Sequence, residues 1–558
     1  MNDKTKTGLE ILEAAVLLGI LGDVLLRHTP WGLNVLLFVG ALVAAFLMMI
    51  LRRNRDFWNV QTVSLNAALV FFAAMFAWRD SAELQIFDGL AIIAILAILS
   101  LQTLQIKTQF AGILHYIIGA VWSAFSAVFS IFLLVFNDVD WKTIPQTGWS
   151  KHLISVLRGV LIATPLLLIF GALFVAADAV FQGIIENTLN IDPDVVVGHI
   201  FFVGFFSWII AGYLRGSLVE NFAAVANSVV GDKDDIQKPQ SLSVVDLNDE
   251  EEPKQEEEPD ATEKKNWSWQ NFDNTILPPV FTLGAVEISV ILGLLNLLFL
   301  AFVIVQIPYL FGGMELVQNT PDFKLAEYAR RGFGELVIVS ALVLPILLVS
   351  HWLLRKDKPI NENIFRVLAA IKIGLLFVIM ISATQRLLLL TGNLGYGLTT
   401  IRFYPMAVMV LLALIFVWFG VTVLRGNRQR FAWGALWLTL FSLATLHVLN
   451  PDDFIARTNI RLMQQGREFD ALYNSRLSDD AIPALIEGLP TMNSGNACTI
   501  KYKLYYQEFE ALKDQDFRSF NLSRWIAGNL IIENSRKFPV AECPSSTNFE
   551  SFDRRHNY

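Results

Sequence analysis

Long, unbroken apolar runs decide what this chain can become. Helix-length stretches rich in leucine, isoleucine, valine, phenylalanine and alanine fall near residues 8–26, 31–51, 59–78, 84–102, 112–136, 154–181, 195–214, 283–306, 332–353, 367–391, 405–424 and 431–449. A segment in hydrocarbon must satisfy its own backbone, so only a helix of about 20 residues or a closed barrel can cross. The runs are continuous rather than alternating, which excludes an outer-membrane barrel. With 54% hydrophobic and 17% charged residues, the 558-residue chain lacks the polar surface of a soluble protein. The expected fold is all-α: a polytopic transmembrane helical bundle of about 12 spans with a small, mostly helical C-terminal soluble domain. The lipid bilayer is its solvent and its first partner.

Composition divides the chain into four. Residues 1–228 form an N-terminal membrane bundle, 229–272 an acidic linker, 273–450 a C-terminal membrane bundle and 451–558 a polar domain. Between Asp232 and Lys265 stand 13 acids and 5 bases, which is the whole net charge of −8. Self-repulsion and few apolar side chains make this stretch a disordered linker in expectation. The remaining acids and bases balance, and no basic surface for nucleic acid is present.

Lysine and arginine favour the cytoplasmic side of a membrane. In the second half, one side collects Arg215, five lysines of the linker, Arg355, Lys356, Lys358, Arg366, Arg425, Arg428 and Arg430. The other side has Lys324, Arg330, Arg331 and Arg402. This bias puts the linker inside and the C-terminal domain outside the cell membrane. Seven spans before an internal linker would then leave Arg52, Arg53 and Arg55 outside. Either one early segment does not cross, or the bias fails there.

An extracytoplasmic domain permits disulfides, so Cys498 and Cys543, the two cysteines of the chain, are expected to pair. Two cysteines are too few for a cysteine-rich metal or iron–sulfur framework, and no metal or other cofactor is expected. The domain reads as helical. Asn450-Pro451-Asp452-Asp453 stops one helix and starts the next, and SDDAIPALIEGL offers Ser478 and Asp479 as caps with Pro483 in the first turn.

Several stretches carry a resemblance: RGVLIATPLLLIFGALFVAADAVF at 158–181, FVIVQIPYLFGG at 302–313, EYARRGFGEL at 327–336, YGLTTIRFYP at 396–405, NPDDFIARTNIRL at 450–462 and LSDDAIPAL at 477–485. As a set they resemble a bacterial family of multi-pass membrane proteins catalogued as domain of unknown function 4173, related to one numbered 4153. The resemblance implies the architecture and a bacterial inner-membrane location, and it implies no activity.

Charges inside spans cost about 2.5–3.5 kcal/mol each on insertion scales and therefore mark candidate sites. Lys372 and Arg386 lie fourteen residues apart in one run, close to four helical turns, so they share a face. Their candidate partners are Asp178, Glu287 and Glu335. Together they line a polar cavity, or they form structural pairs and snorkel. Glu327, Arg331 and Glu335 make an acid–base–acid ladder at four-residue spacing, leaving Arg330 for an anion or a neighbour. Gly392, Gly395 and Gly397 precede Arg402 and Pro405, as a short re-entrant gate or as a plain turn. Pro165 should kink the sixth run. Gly212 and Gly216 are spaced for close helix packing. The histidines, His115, His199, His351 and His447 among them, show no ligand spacing.

No P-loop, HExxH, nucleophile elbow or dinucleotide-binding glycine pattern occurs. The leading reading is a non-enzymatic interaction or sensing scaffold of the bacterial cell envelope, with a protein partner met through the C-terminal domain or the linker. A transporter or channel using the intramembrane charges is the second reading. A membrane enzyme acting on lipid or envelope intermediates through Arg330, Arg331 and Glu335 is the third.

Overall fold

In the computed structural model the described residues are 3–27, 30–53, 59–101, 108–141, 193–218, 282–311, 333–355, 359–388, 391, 397–512, 516–535 and 543. Eleven helices follow the apolar runs. They are α1 (Asp3–Leu26), α2 (Leu33–Arg53), α3 (Val60–Met75), α4 (Ala82–Leu99), α5 (Ile113–Leu133), α6 (Pro193–Leu218), α7 (Ala285–Phe311), α8 (Phe333–Leu353), α9 (Pro359–Leu388), α10 (Thr400–Thr422) and α11 (Phe431–Leu449). Among the described residues, nine stretches are long and apolar enough to cross a membrane. The others are α1, which carries Glu10, Glu13 and Asp23, and the 16-residue α3. The run at 154–181, with Pro165 and Asp178, and the linker at 229–272 lie outside the described residues. The protein is a helical, membrane-embedded bundle, and no strand occurs among the described residues.

Only 17–39% of each candidate span is buried within the protein. On α7, Leu294, Leu297, Leu298 and Val305 are open while Ile288 and Leu292 are closed. Such apolar exposure is stable only against lipid.

Small residues set the closest helix contacts. A Cβ on Gly212 of α6 would stand 2.3 Å from the Ala127 carbonyl of α5, and one on Gly216 would stand 2.4 Å from Ser126. The glycine spacing therefore lets two backbones touch, as small residues do between membrane helices. Gly19 of α1 meets Ser207 and the Val203 carbonyl of α6 in the same way. Helices α7 and α9 run parallel: Asn296 donates to the Leu368 carbonyl at 3.0 Å, and one turn further Phe299 meets Lys372. Leu283, before α7, pairs with Leu354 at the end of α8, so α8 runs against them.

Five more α-helices follow among the described residues: α12 (Pro451–Gln464), α13 (Ala471–Ser475), α14 (Ile482–Gly488), α15 (Ser494–Leu512) and α16 (Leu522–Asn534). Asn450, at φ 52°, both ends α11 and begins α12, and Pro451 occupies the first turn where a missing N–H costs little. A disulfide joins Cys498 on α15 to Cys543, with 5.7 Å between Cα atoms. These helices do not keep a core to themselves. Leu65, Phe72, Leu84 and Ile95 of α3 and α4 belong to one buried cluster with Ile455, Ile482, Leu485 and Ile531. The C-terminal region is thus packed on the end of the bundle where α3 stops, α4 begins and α11 stops.

Candidate functional site

The loop 76–81 between α3 and α4 is polar, Arg79-Asp80-Ser81, because it leaves and re-enters the apolar slab. Ser81 is the N-cap of α4, yet its side chain does not cap. Asp480, about 400 positions later, instead holds the two residues that lead into the helix. Its Oδ2 accepts the backbone N–H groups of Asp80 at 2.8 Å and Ser81 at 3.0 Å, where a helix start is positive. Its Oδ1 accepts from Arg79 at 3.3 Å and from the Ser523 hydroxyl. Arg79 in turn donates from Nε to the His447 carbonyl at 2.9 Å, tying the end of α11 to the same point.

Three further carboxylates surround this centre. Asp80 is ion-paired to Arg524 of α16 at 2.9 Å and accepts from the Asp479 amide. Asp479 accepts from Gln507 of α15. Asp452, at the start of α12, accepts from both the amide and the hydroxyl of Ser478, while its other oxygen is buried without a partner. Lys503, on α15, donates to the Leu477 carbonyl. The chain from Phe517 to Ser523 is stitched into the same seam. Leu33 N–H donates to the Phe520 carbonyl at 2.9 Å, and Leu522 N–H donates to the Ala77 carbonyl at 2.7 Å. Asn521 donates to the carbonyls of Phe76 and Arg79 while accepting from Arg524 N–H to cap α16.

Gathering acids away from water raises their proton affinity. Burial, and then the neighbouring Asp479, push the Asp80 carboxyl up to about 7 although Arg524 opposes them. Burial also raises Asp479 and Asp452. The Lys503 ammonium, taken out of water, falls to about 8. The junction can therefore change its charge near neutral pH while it holds the two parts together. Among the described residues, no three histidine, cysteine or acidic side chains are grouped to hold a metal ion.

Most of the intramembrane charges singled out in the sequence fall outside the described residues or at helix ends. Asp178, Glu327, Arg330 and Arg331 lie outside those residues, as does the side chain of Arg386. Glu287 and Glu335 sit exposed in the first turns of α7 and α8, which start at opposite ends of the bundle. Lys372 is 2% exposed at mid-helix, 3.7 Å from the Phe299 ring centre, with no hydrogen-bond partner for its Nζ. Glu287 is twelve residues before Phe299, about 18 Å along the axis, too far to serve it. Arg402 donates to the Gly397 carbonyl, inside a turn that Asn459 of α12 clamps on both sides of Leu398. Gly397, at φ 68°, lies against that same asparagine.

Sequence reasoning missed the pairs that do form. Asp88 meets His447, Asp138 meets Arg215 at 2.5 Å, and Asp23 meets His199. Each joins residues far apart along the chain, so no spacing rule reveals them. Asp452, Asp479 and Asp480 were visible only within NPDD and LSDD, and Asp80 was not singled out.

A family model described as "Domain of unknown function (DUF4153)" matches residues 66–488. It is the related family of the resemblance above, not the one numbered 4173, and the match begins earlier in the chain. Asp80, Asp452, Asp479 and Asp480 lie within it, whereas Lys503, Ser523 and Arg524 lie beyond it. No curated protein and no solved structure matches the chain.

Proposed function

We propose, for a chain that belongs to the family described as domain of unknown function DUF4153, a sensing role in the bacterial cell envelope. In this reading the C-terminal helices are the sensing and partner-binding part, extracytoplasmic, and the carboxylate junction couples them to the bundle. One observation carries it: four acids, Asp80, Asp452, Asp479 and Asp480, meet Arg79, Arg524 and Lys503 where bundle and C-terminal region touch. The disulfide and the lysine and arginine bias support the external side.

The sign of the pH response follows from linkage. Asp80 has its folded value raised to about 7 from 3.8. Between these values the folded state holds more protons than the unfolded one. Its stability is therefore greatest on the acid side and falls as pH climbs towards 7, by at most about 4 kcal/mol. Lys503, lowered to about 8 from 10.5, binds fewer protons when folded. It disfavours the folded junction below 8 and ceases to do so as pH rises towards 10.5.

Hydrogen exchange on full-length protein in lipid nanodiscs, corrected for the intrinsic pH dependence of exchange, reads this directly. The amides of Leu522 and Ser523, which donate to the Ala77 and Trp78 carbonyls, should be better protected at pH 5 than at about pH 7.5. Asp80→Asn should flatten the difference. Equal protection at both pH values in the unmodified protein would sink the proposal.

A second reading, transport, is favoured by Lys372 alone. A buried cation that meets an aromatic ring but no hydrogen-bond acceptor among the described residues is costly in a membrane helix and characteristic of solute or proton paths. Solute or proton flux that is abolished by Lys372→Met, with the junction's pH response intact, would favour transport instead.

A further inference from the structure

Asp88 stands on α4 and His447 in the last turn of α11, 359 positions apart in the chain. His447 Nε2 and Asp88 Oδ1 are 2.9 Å apart, and the two side chains are 0% and 1% exposed. Each also keeps a buried polar atom with no hydrogen-bond partner among the described residues, Nδ1 of His447 and Oδ2 of Asp88. A histidine that serves only to hold two helices together normally has its second ring nitrogen occupied, because buried polar atoms are nearly always satisfied. Here both outward atoms of the pair are open, and buried Leu84, Ala91, Leu440 and Leu443 belong to the same core.

We infer that Asp88 and His447 form a proton-binding site inside the membrane bundle. Without the extra proton, the Nε2–H of neutral His447 donates to the Asp88 carboxylate, and the pair carries one negative charge. Hydronium delivers one proton to His447 Nδ1 and leaves as water. The Nε2–Oδ1 hydrogen bond persists, and the pair becomes neutral overall. Arg79 donates to the His447 carbonyl and so touches the pair through the backbone.

The site is near a source of protons. Asp88 lies seven residues past Ser81, about 10 Å along α4 from the carboxylate junction. The titratable and charged groups of the surrounding elements include Arg79 and Asp80 in the preceding loop, Glu83 on α4, His115 and Tyr116 on α5, Arg402 and Tyr404 on α10, Asp452 on α12 and Asp480 before α14. None of them bonds to the side chain of Asp88 or His447. Arg79 bridges the His447 carbonyl to Asp480, so a change of charge at the pair reaches the junction through one side chain.

The test is nuclear magnetic resonance of full-length protein labelled with 15N-histidine, in detergent or bilayers, titrated across about pH 5 to 8. One ring signal, absent in His447→Gln, should pass between two protonation states, and in Asp88→Asn its midpoint should move to a tenfold or more higher proton concentration. Should Asp88→Asn not fold, Asp88→Glu replaces it, and a displaced midpoint is again expected. A His447 ring that keeps one protonation state throughout, or a midpoint indifferent to residue 88, overturns the proposal. The inference does not require the junction to open: protection of Leu522 that ignores pH defeats the sensing role and leaves this titration standing.

Discussion

Of the carboxylates among the described residues, Asp480 takes on the most partners, accepting from two backbone amides, Arg79 and Ser523. Asp480→Asn keeps the shape but puts a donor before donors and leaves Arg79 with no counter-charge. The expected cost is about 3 kcal/mol, read as a lower Tm of the solubilised protein. Asp453 offers the contrast. It also meets an arginine, Arg457, at 2.8 Å, but on a surface where that arginine is 44% exposed, so Asp453→Asn should cost less than about 0.5 kcal/mol. Equal losses in the two variants would refute the assignment of a special role to the junction. Residue by residue, the sequence pointed elsewhere, to Lys372 and to the EYARRGFGEL ladder. Insertion cost makes any charge in an apolar run conspicuous, whereas an acid before a helix reads as an ordinary cap. Asp480 holds the approach to a helix about 400 positions away, and only the fold discloses that.

Elements were the most legible scale. Continuous apolar runs of helix length have one solution in lipid, so α1 to α11 appear where expected. The miss is local. Pro405 marked the end of a loop in the sequence, yet it stands inside α10, which begins at Thr400 and loses only one early hydrogen bond to it. Helix pairing was legible in one place, at Gly212 and Gly216, where spacing alone suggested close packing and the backbone of α5 supplies the partner. Gly212→Leu should force α5 and α6 apart and cost about 1–3 kcal/mol. Gly204→Leu, on the same helix with nothing within 4 Å of a new Cβ, is the control and should be nearly silent. Thermal unfolding of both variants in one detergent decides it, and a silent Gly212→Leu would mean that the contact is not tight in solution.

For the molecule as a whole, the decisive fact is that bundle and C-terminal region share a core. A domain with its own core would melt by itself and could be lost without harm to the spans. Here Phe72 and Leu84 are buried in one cluster with Ile455 and Ile482, and the segment Phe517–Ser523 hydrogen-bonds to the ends of α1, α2 and α3. Stripping the C-terminal helices away would uncover apolar surface at the mouth of the bundle. The two should therefore unfold as one unit. The disulfide lets this be tested from within the C-terminal part, where Cys498 and Cys543 close a loop of 45 residues. On the chain-entropy model their replacement by serine removes about 4 kcal/mol. With a shared core that loss falls on a single transition: amides of α4 and of α14 should exchange faster together in the double variant. With separate cores the C-terminal amides would open first and α4 would keep its protection. That second pattern would show that the seam through Asp480 and Asn521 is a contact between two bodies and not the middle of one.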